Sequence, residues 1–164
     1  VLPSRHPLGP IVRVEPAWDP PAARRWAALV LAGALGVLAV AVWLVPSAEG
    51  LGTHRQLGFP ACSAITVTGY PCPSCGMTTA FSYTVRGRWV SAFHAQPAGF
   101  GLAVMTIGSA AVAVYTLATG RVVRLNLFRW RPGWLLAAFF LMLLLGWGYK
   151  IAVGLATGAL PYGR

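Results

Sequence analysis

WAALVLAGALGVLAVAVWLV, the stretch from Trp26 to Val45, is twenty residues of Ala, Leu, Val, Gly and Trp without a charge or a hydroxyl. A membrane-spanning helix needs about 20 such residues. A cleaved signal sequence is the competing assignment, but its apolar core runs about 7–15 residues and ends in small side chains. Here the run is longer and ends in Leu44-Val45-Pro46, so a retained span over 26–45 is expected. Arg24 and Arg25 precede it without the rest of a twin-arginine export pattern.

Two further runs follow the same logic. Pro97 can open a helix, and Ala98 to Thr119 forms a second expected span rich in Gly, Ala and Ser. Gly101, Gly108 and Ser109-Ala110-Ala111 are small residues of the kind that let helices approach closely. Trp134 to about Leu155 makes the third, with Trp130, Trp134, Trp147 and Tyr149 as interface anchors. Composition agrees: 57% of the 164 residues are apolar and 10% charged, where a soluble domain carries about 25% charged residues. The expected architecture is an all-α integral membrane protein with three transmembrane helices. Residues 1–23 form a proline-rich N-terminal arm, and 24–164 form one membrane domain with a cysteine loop over 50–88. The chain is too short for a transporter of two large repeats.

Charge restricts the chemistry. Glu15, Asp19 and Glu49 are the only acids, so no carboxylate follows Gly50. That removes paired-carboxylate hydrolysis, an oxygen-rich calcium or magnesium cage and an internal Ser-His-Asp triad from the last two thirds. The net charge of +10 raises nucleic acid as a partner. The arginines, however, sit in small groups flanking apolar runs, which favours a lipid bilayer and no nucleic acid. Arg24 and Arg25 precede span one, while Arg121, Arg124, Arg129 and Arg131 lie between spans two and three, as expected of cytoplasmic lipid head-group contacts. This sets the N-terminus inside, with the cysteine loop and C-terminus outside. Lys150, the sole lysine, falls well inside span three with no acid near it in sequence, and so needs a phosphate, a carbonyl or a partner.

The loop reads Gly52-Thr-His54-Arg-Gln-Leu-Gly…Cys62, then Gly69-Tyr-Pro-Cys72-Pro-Ser-Cys75-Gly76-Met-Thr78-Thr-Ala80-Phe. A short helix is expected over about 73–86, opened by Pro73 and closed at Gly87, either lying at the interface or re-entrant, and carrying the CxxC motif. In the interfacial form, Arg86 and Arg88 would reach head groups. Three readings of the thiols stay open. Cys72 and Cys75 form a redox pair near a helix N-terminus; His54, Cys62, Cys72 and Cys75 form a Cys3His set for zinc, or secondarily for copper with Met77 nearby; or the cysteines are structural, buried or joined as a disulfide. His94 is expected to hydrogen bond near the start of span two, and His6 to be solvated.

The segment around Cys72-Pro-Ser-Cys75-Gly76-Met-Thr78-Thr-Ala80, with Gly87 and Pro97 beyond it, resembles the bacterial domain-of-unknown-function 2752 family over about residues 50–120. That resemblance implies a small membrane protein of the bacterial inner membrane, with Pro73, Gly76 and Thr78 supporting the motif, and implies no activity. Two departures stand out: Thr79 replaces the usual Arg, and Gln96 the usual Asn before proline, which leaves Arg86 as the candidate replacement charge. No catalytic set is assigned. The expected role is a non-enzymatic accessory or binding subunit with a metal- or disulfide-stabilised Cys loop, meeting a protein partner or a second copy through small-residue faces. The alternative is a thiol redox or metal-handling protein using Cys72 and Cys75.

Overall fold

The computed structural model describes residues 12–125, 132–158 and 160. His6, Arg129 and Arg131, singled out above, lie outside the described residues, as does Trp130. Three helices are long and apolar enough to cross a membrane: α1 (Pro20–Trp43), α5 (Pro97–Thr119) and α6 (Pro132–Ala156). Between α1 and α5 the chain makes a five-residue 3-10 turn (Thr53–Leu57) and three short helices, α2 (Ser63–Thr68), α3 (Met77–Thr84) and α4 (Trp89–Ala95).

Helix α1 begins six residues before the expected 26. Asp19 caps it, its carboxylate accepting from the Ala22 backbone N–H at 3.1 Å, and Pro20 and Pro21 fill the first turn, where their missing N–H groups cost nothing. The prolines that suggested an irregular arm therefore start the helix. Upstream, Val12–Pro16 forms β1, which pairs antiparallel with β2 (Arg121–Leu125), Arg13 opposite Arg124 and Glu15 opposite Val122. Both segments contain two β-branched valines, which suit a strand, and this two-stranded sheet is an addition to the all-α expectation. It sits where α1 begins and α5 ends. The Arg124–Glu15 pair spans 3.6 Å on an exposed surface, so it adds little stability.

At the other end of the bundle, α3 is wedged between α1, α4 and α5. The expected helix over 73–86 is shorter, because Gly76 takes a left-handed conformation and breaks the chain before Met77. The CxxC segment thus precedes the helix and is not carried on it. The face that α3 buries is only partly apolar. Thr79, Ala80, Ser82, Tyr83 and Thr84 are buried, whereas Met77, Thr78 and Phe81 face a cleft against Gly36, Val37 and Val40 of α1. Facing inward, the hydroxyls find partners, Thr79 on Thr53 and Ser82 on the Leu44 carbonyl. Ala80 and Tyr83 pack on Ala92 and Ala95 of α4, with Phe100 against them.

That inward polar face holds the end of α1. The Arg86 guanidinium donates to the carbonyls of Ala41 (3.1 Å), Val42 (2.7 Å) and Leu44 (2.8 Å), and also to Ser82 O and Oγ. These are the carbonyls that a helix C-terminus leaves unpaired, and a cation there also complements the helix dipole. Ser82 Oγ donates to Leu44 O at 2.6 Å, and Gln56 pairs with both backbone groups of Val45. Arg86 is exposed, with its guanidinium engaged on the end of α1, and Arg88 lies over the Tyr83 ring, 4.8 Å from its centroid.

Of the glycines expected at close approaches, Gly101 is at one, its Cβ position 3.3 Å from Met142 Cε, and Gly99 and Gly146 add two more. A Cβ on Gly99 would lie 3.0 Å from Met77 Cα, and one on Gly146 would lie 2.8 Å from Pro97 Cδ. Gly101 faces the Met142 side chain, while Gly108 has open space around it.

Candidate thiol site

The three cysteines come from two segments that meet beneath the start of α3. Cys62 is the residue before α2, and its carbonyl accepts from the Thr66 N–H, so the thiol sits at the first turn. Cys72 and Cys75 close a turn in which the Cys75 N–H donates to Cys72 O at 3.0 Å. Their sulfurs stand 3.1 Å apart as free thiols. All three sulfurs lie within 4.8 Å of one another; Cys75 is buried, while Cys62 and Cys72 are half-buried. His54 is not in this group. Its Nε2 pairs with the Pro60 carbonyl at 3.2 Å, so among the described residues the cluster offers three ligands and not the expected four.

The thiols are not equivalent. Burial pushes Cys75 up to about 12, helped by hydrogen bonds to the Cys72 and Cys62 sulfurs that favour its protonated form. Burial acts upward on Cys62 as well. The Ile65 backbone N–H and the Cys75 and Cys72 thiols outweigh it and bring Cys62 down to about 7. The cluster therefore favours one thiolate near neutral pH, steadied by its neighbours, and the thiolate is the form that binds metals and attacks disulfides.

The CxxC turn is held from outside by three side chains that attach to alternate carbonyls. Trp147 Nε1 donates to Pro71 O at 2.6 Å, Gln96 Nε2 to Pro73 O at 2.7 Å, and Lys150 Nζ to Cys75 O at 2.5 Å. Each is a backbone acceptor that this irregular loop would otherwise leave unpaired. Lys150 thus finds the carbonyl its sequence position demanded. Trp147, expected as an interface anchor, has its indole N–H turned to the loop. Gln96, fully buried, is the residue that sequence reasoning noticed only as a departure. Its Oε1 has no hydrogen-bond partner among the described residues and presses toward Gly146.

The motif-supporting residues divide. Pro73 supplies the carbonyl to Gln96. Gly76 has φ +91°, and a Cβ there would lie 2.5 Å from Ala95 O and 2.8 Å from Gly50 O, so only glycine fits. Thr78 lies at the α1–α3 cleft, outside the thiol cluster. Thr79, at the position of the usual Arg, is buried with its hydroxyl 2.8 Å from that of Thr53. His94 is exposed on α4, its ring 6.2 Å from that of Tyr149.

Residues 62–109 match the family described as protein of unknown function (DUF2752), which supports the resemblance drawn from the sequence. Comparison with curated proteins finds no match, and comparison with solved structures finds none.

Proposed function

We propose that this membrane protein is an accessory or binding subunit whose three-cysteine cluster holds one soft metal ion, zinc first and copper(I) second. The observation that supports this is the gathering of Cys62, Cys72 and Cys75 within 4.8 Å on a turn braced by Trp147, Gln96 and Lys150. Thiolates are ligands for zinc and copper(I). Three protein ligands leave a tetrahedral ion one open position, where an external ligand or a partner's side chain binds. Such a centre would stabilise the loop and offer a docking point. The same proposal sets the cluster on the outer face of a bacterial cytoplasmic membrane, with the arginine-bearing end inside, on the distribution of basic residues.

Metal content of protein purified in mild detergent without chelator tests the idea. The expected result is about one zinc per chain, lost on changing any one of Cys62, Cys72 or Cys75 to Ser. His54→Ala is expected to keep the ion, since His54 is engaged elsewhere. Absence of metal together with a closed Cys72–Cys75 bond would overturn it.

That outcome would favour a second reading, a thiol redox protein, which the 3.1 Å Cys72–Cys75 separation supports. Closing the bond releases two protons and passes two electrons to an external acceptor. The Cys62 thiolate is near enough to attack either sulfur, forming an intramolecular disulfide with it and releasing the other as a thiolate, so the bond is exchanged and not reduced.

A further inference from the structure

We infer that the cleft between α4 and the second half of α6 seats one glycerophospholipid carrying a phosphoethanolamine head group. Two cavities meet there. The first, about 440 Å³, is apolar, with Phe93, Pro97, Leu141 and Leu145 among its walls. It follows α6 from Ala138 to Tyr149, roughly 16 Å at the rise of a helix, and its volume lies within the usual range for ligand clefts, about 300–1,000 Å³. The second, about 220 Å³, contains Glu49 and Lys150 in its wall. His94 and Tyr149 line both, so the pair marks the junction between an apolar channel and a charged one.

The charges choose the occupant. Glu49 is the last acid of the chain and Lys150 its only lysine, yet both line this one small cleft. They do not pair with each other: the ion pair formed among the described residues is Arg124–Glu15. Lys150 has three N–H donors and directs one to Cys75 O, which leaves donors for a phosphate oxygen. Glu49 is exposed and is free to accept from an ammonium group. A head group with phosphate and amine on adjacent carbons bridges the two, while one acyl chain lies in the apolar channel. An anionic phosphoglycerol head would satisfy Lys150 and leave Glu49 facing a negative lipid.

Native mass spectrometry of the full chain in mixed micelles containing equal phosphatidylethanolamine and phosphatidylglycerol tests this directly. One retained phosphatidylethanolamine is expected, preferred about tenfold over phosphatidylglycerol. Glu49→Gln is expected to bring the preference close to parity. Leu145→Trp, a change at an exposed residue that fills the channel, is expected to reduce retention of both lipids several-fold. Lys150→Met should abolish retention, and because Lys150 also braces the loop, a circular dichroism spectrum must accompany it. Equal retention by the wild type, or an unchanged preference in Glu49→Gln, overturns the assignment. Retention that survives Leu145→Trp marks the lipid as part of the general belt and overturns it too. The metal content of the same samples is a separate readout, so the thiol proposal stands or falls independently.

Discussion

Gly76 shows how much a single missing side chain decides. It ends the thiol turn, starts α3, and lets the Ala95 and Gly50 carbonyls close over the loop. Gly76→Ala is expected to abolish the folded, monodisperse state, because it combines a left-handed backbone, costing about 1–2 kcal/mol, with contacts near 2.5 Å that involve backbone atoms. Gly58 is the matched control. It has φ +81° but open space about its Cβ position, so Gly58→Ala is expected to cost only about 1 kcal/mol and remain folded. Thermal unfolding in detergent, followed by Trp fluorescence, separates the two. Gly76 was legible as part of the motif, but the break it makes before the helix was not, since a helix over about 73–86 was expected to run through it. Gln96 was less so, because its work is done 23 residues away, on Pro73. His54 misled because spacing along the chain cannot report that its ring is already engaged on Pro60.

Among the elements, α3 departs most from a reading based on periodicity. Met77 and Phe81 are half-buried against α1, while Ala80 and the hydroxyls of Ser82, Thr79 and Thr84 face inward. Periodicity locates a helix, but which of its side chains are buried depends on the elements packed around it. Arg86 serves the neighbouring helix, since α1 has no basic residue in its last turn and borrows this one from the turn after α3. Arg86→Met is expected to destabilise the protein by about 3 kcal/mol, as several charge-assisted bonds are lost and carbonyls are left unpaired. Arg86→Lys should recover less than half of this, because an ammonium cannot reproduce the planar fork that reaches four carbonyls. Thermal unfolding midpoints in the same detergent check both. The spans themselves were legible because twenty apolar residues are a local signal. The pairing of β1 with β2 was not, since its partners stand more than a hundred residues apart.

Across the whole molecule, the two ends have opposite characters: a sheet bearing Arg13, Arg121 and Arg124 at one, the thiol loop and the Glu49–Lys150 cleft at the other. On the proposed orientation, with the basic end cytoplasmic and with Cys62, Cys72 and Cys75 replaced by Ser, a membrane-impermeant maleimide is expected to label Phe59→Cys in intact cells and Arg124→Cys only after lysis. The opposite pattern would place the thiols in the reducing compartment and remove the oxidising setting that a persistent disulfide requires. Helix α6 contributes little to the bundle elsewhere, and its firmest attachments are the bonds from Trp147 and Lys150 to the thiol turn. Those bonds join residues 76 and 75 positions apart. During synthesis at about 5–20 residues per second, the cysteines leave the ribosome roughly 4 to 15 seconds before the side chains that brace them. For that interval the newborn loop has its thiols but not its brace. Any enzyme or chaperone that loads or protects this loop would have a defined moment in which to act, and arrival of the last span would end it.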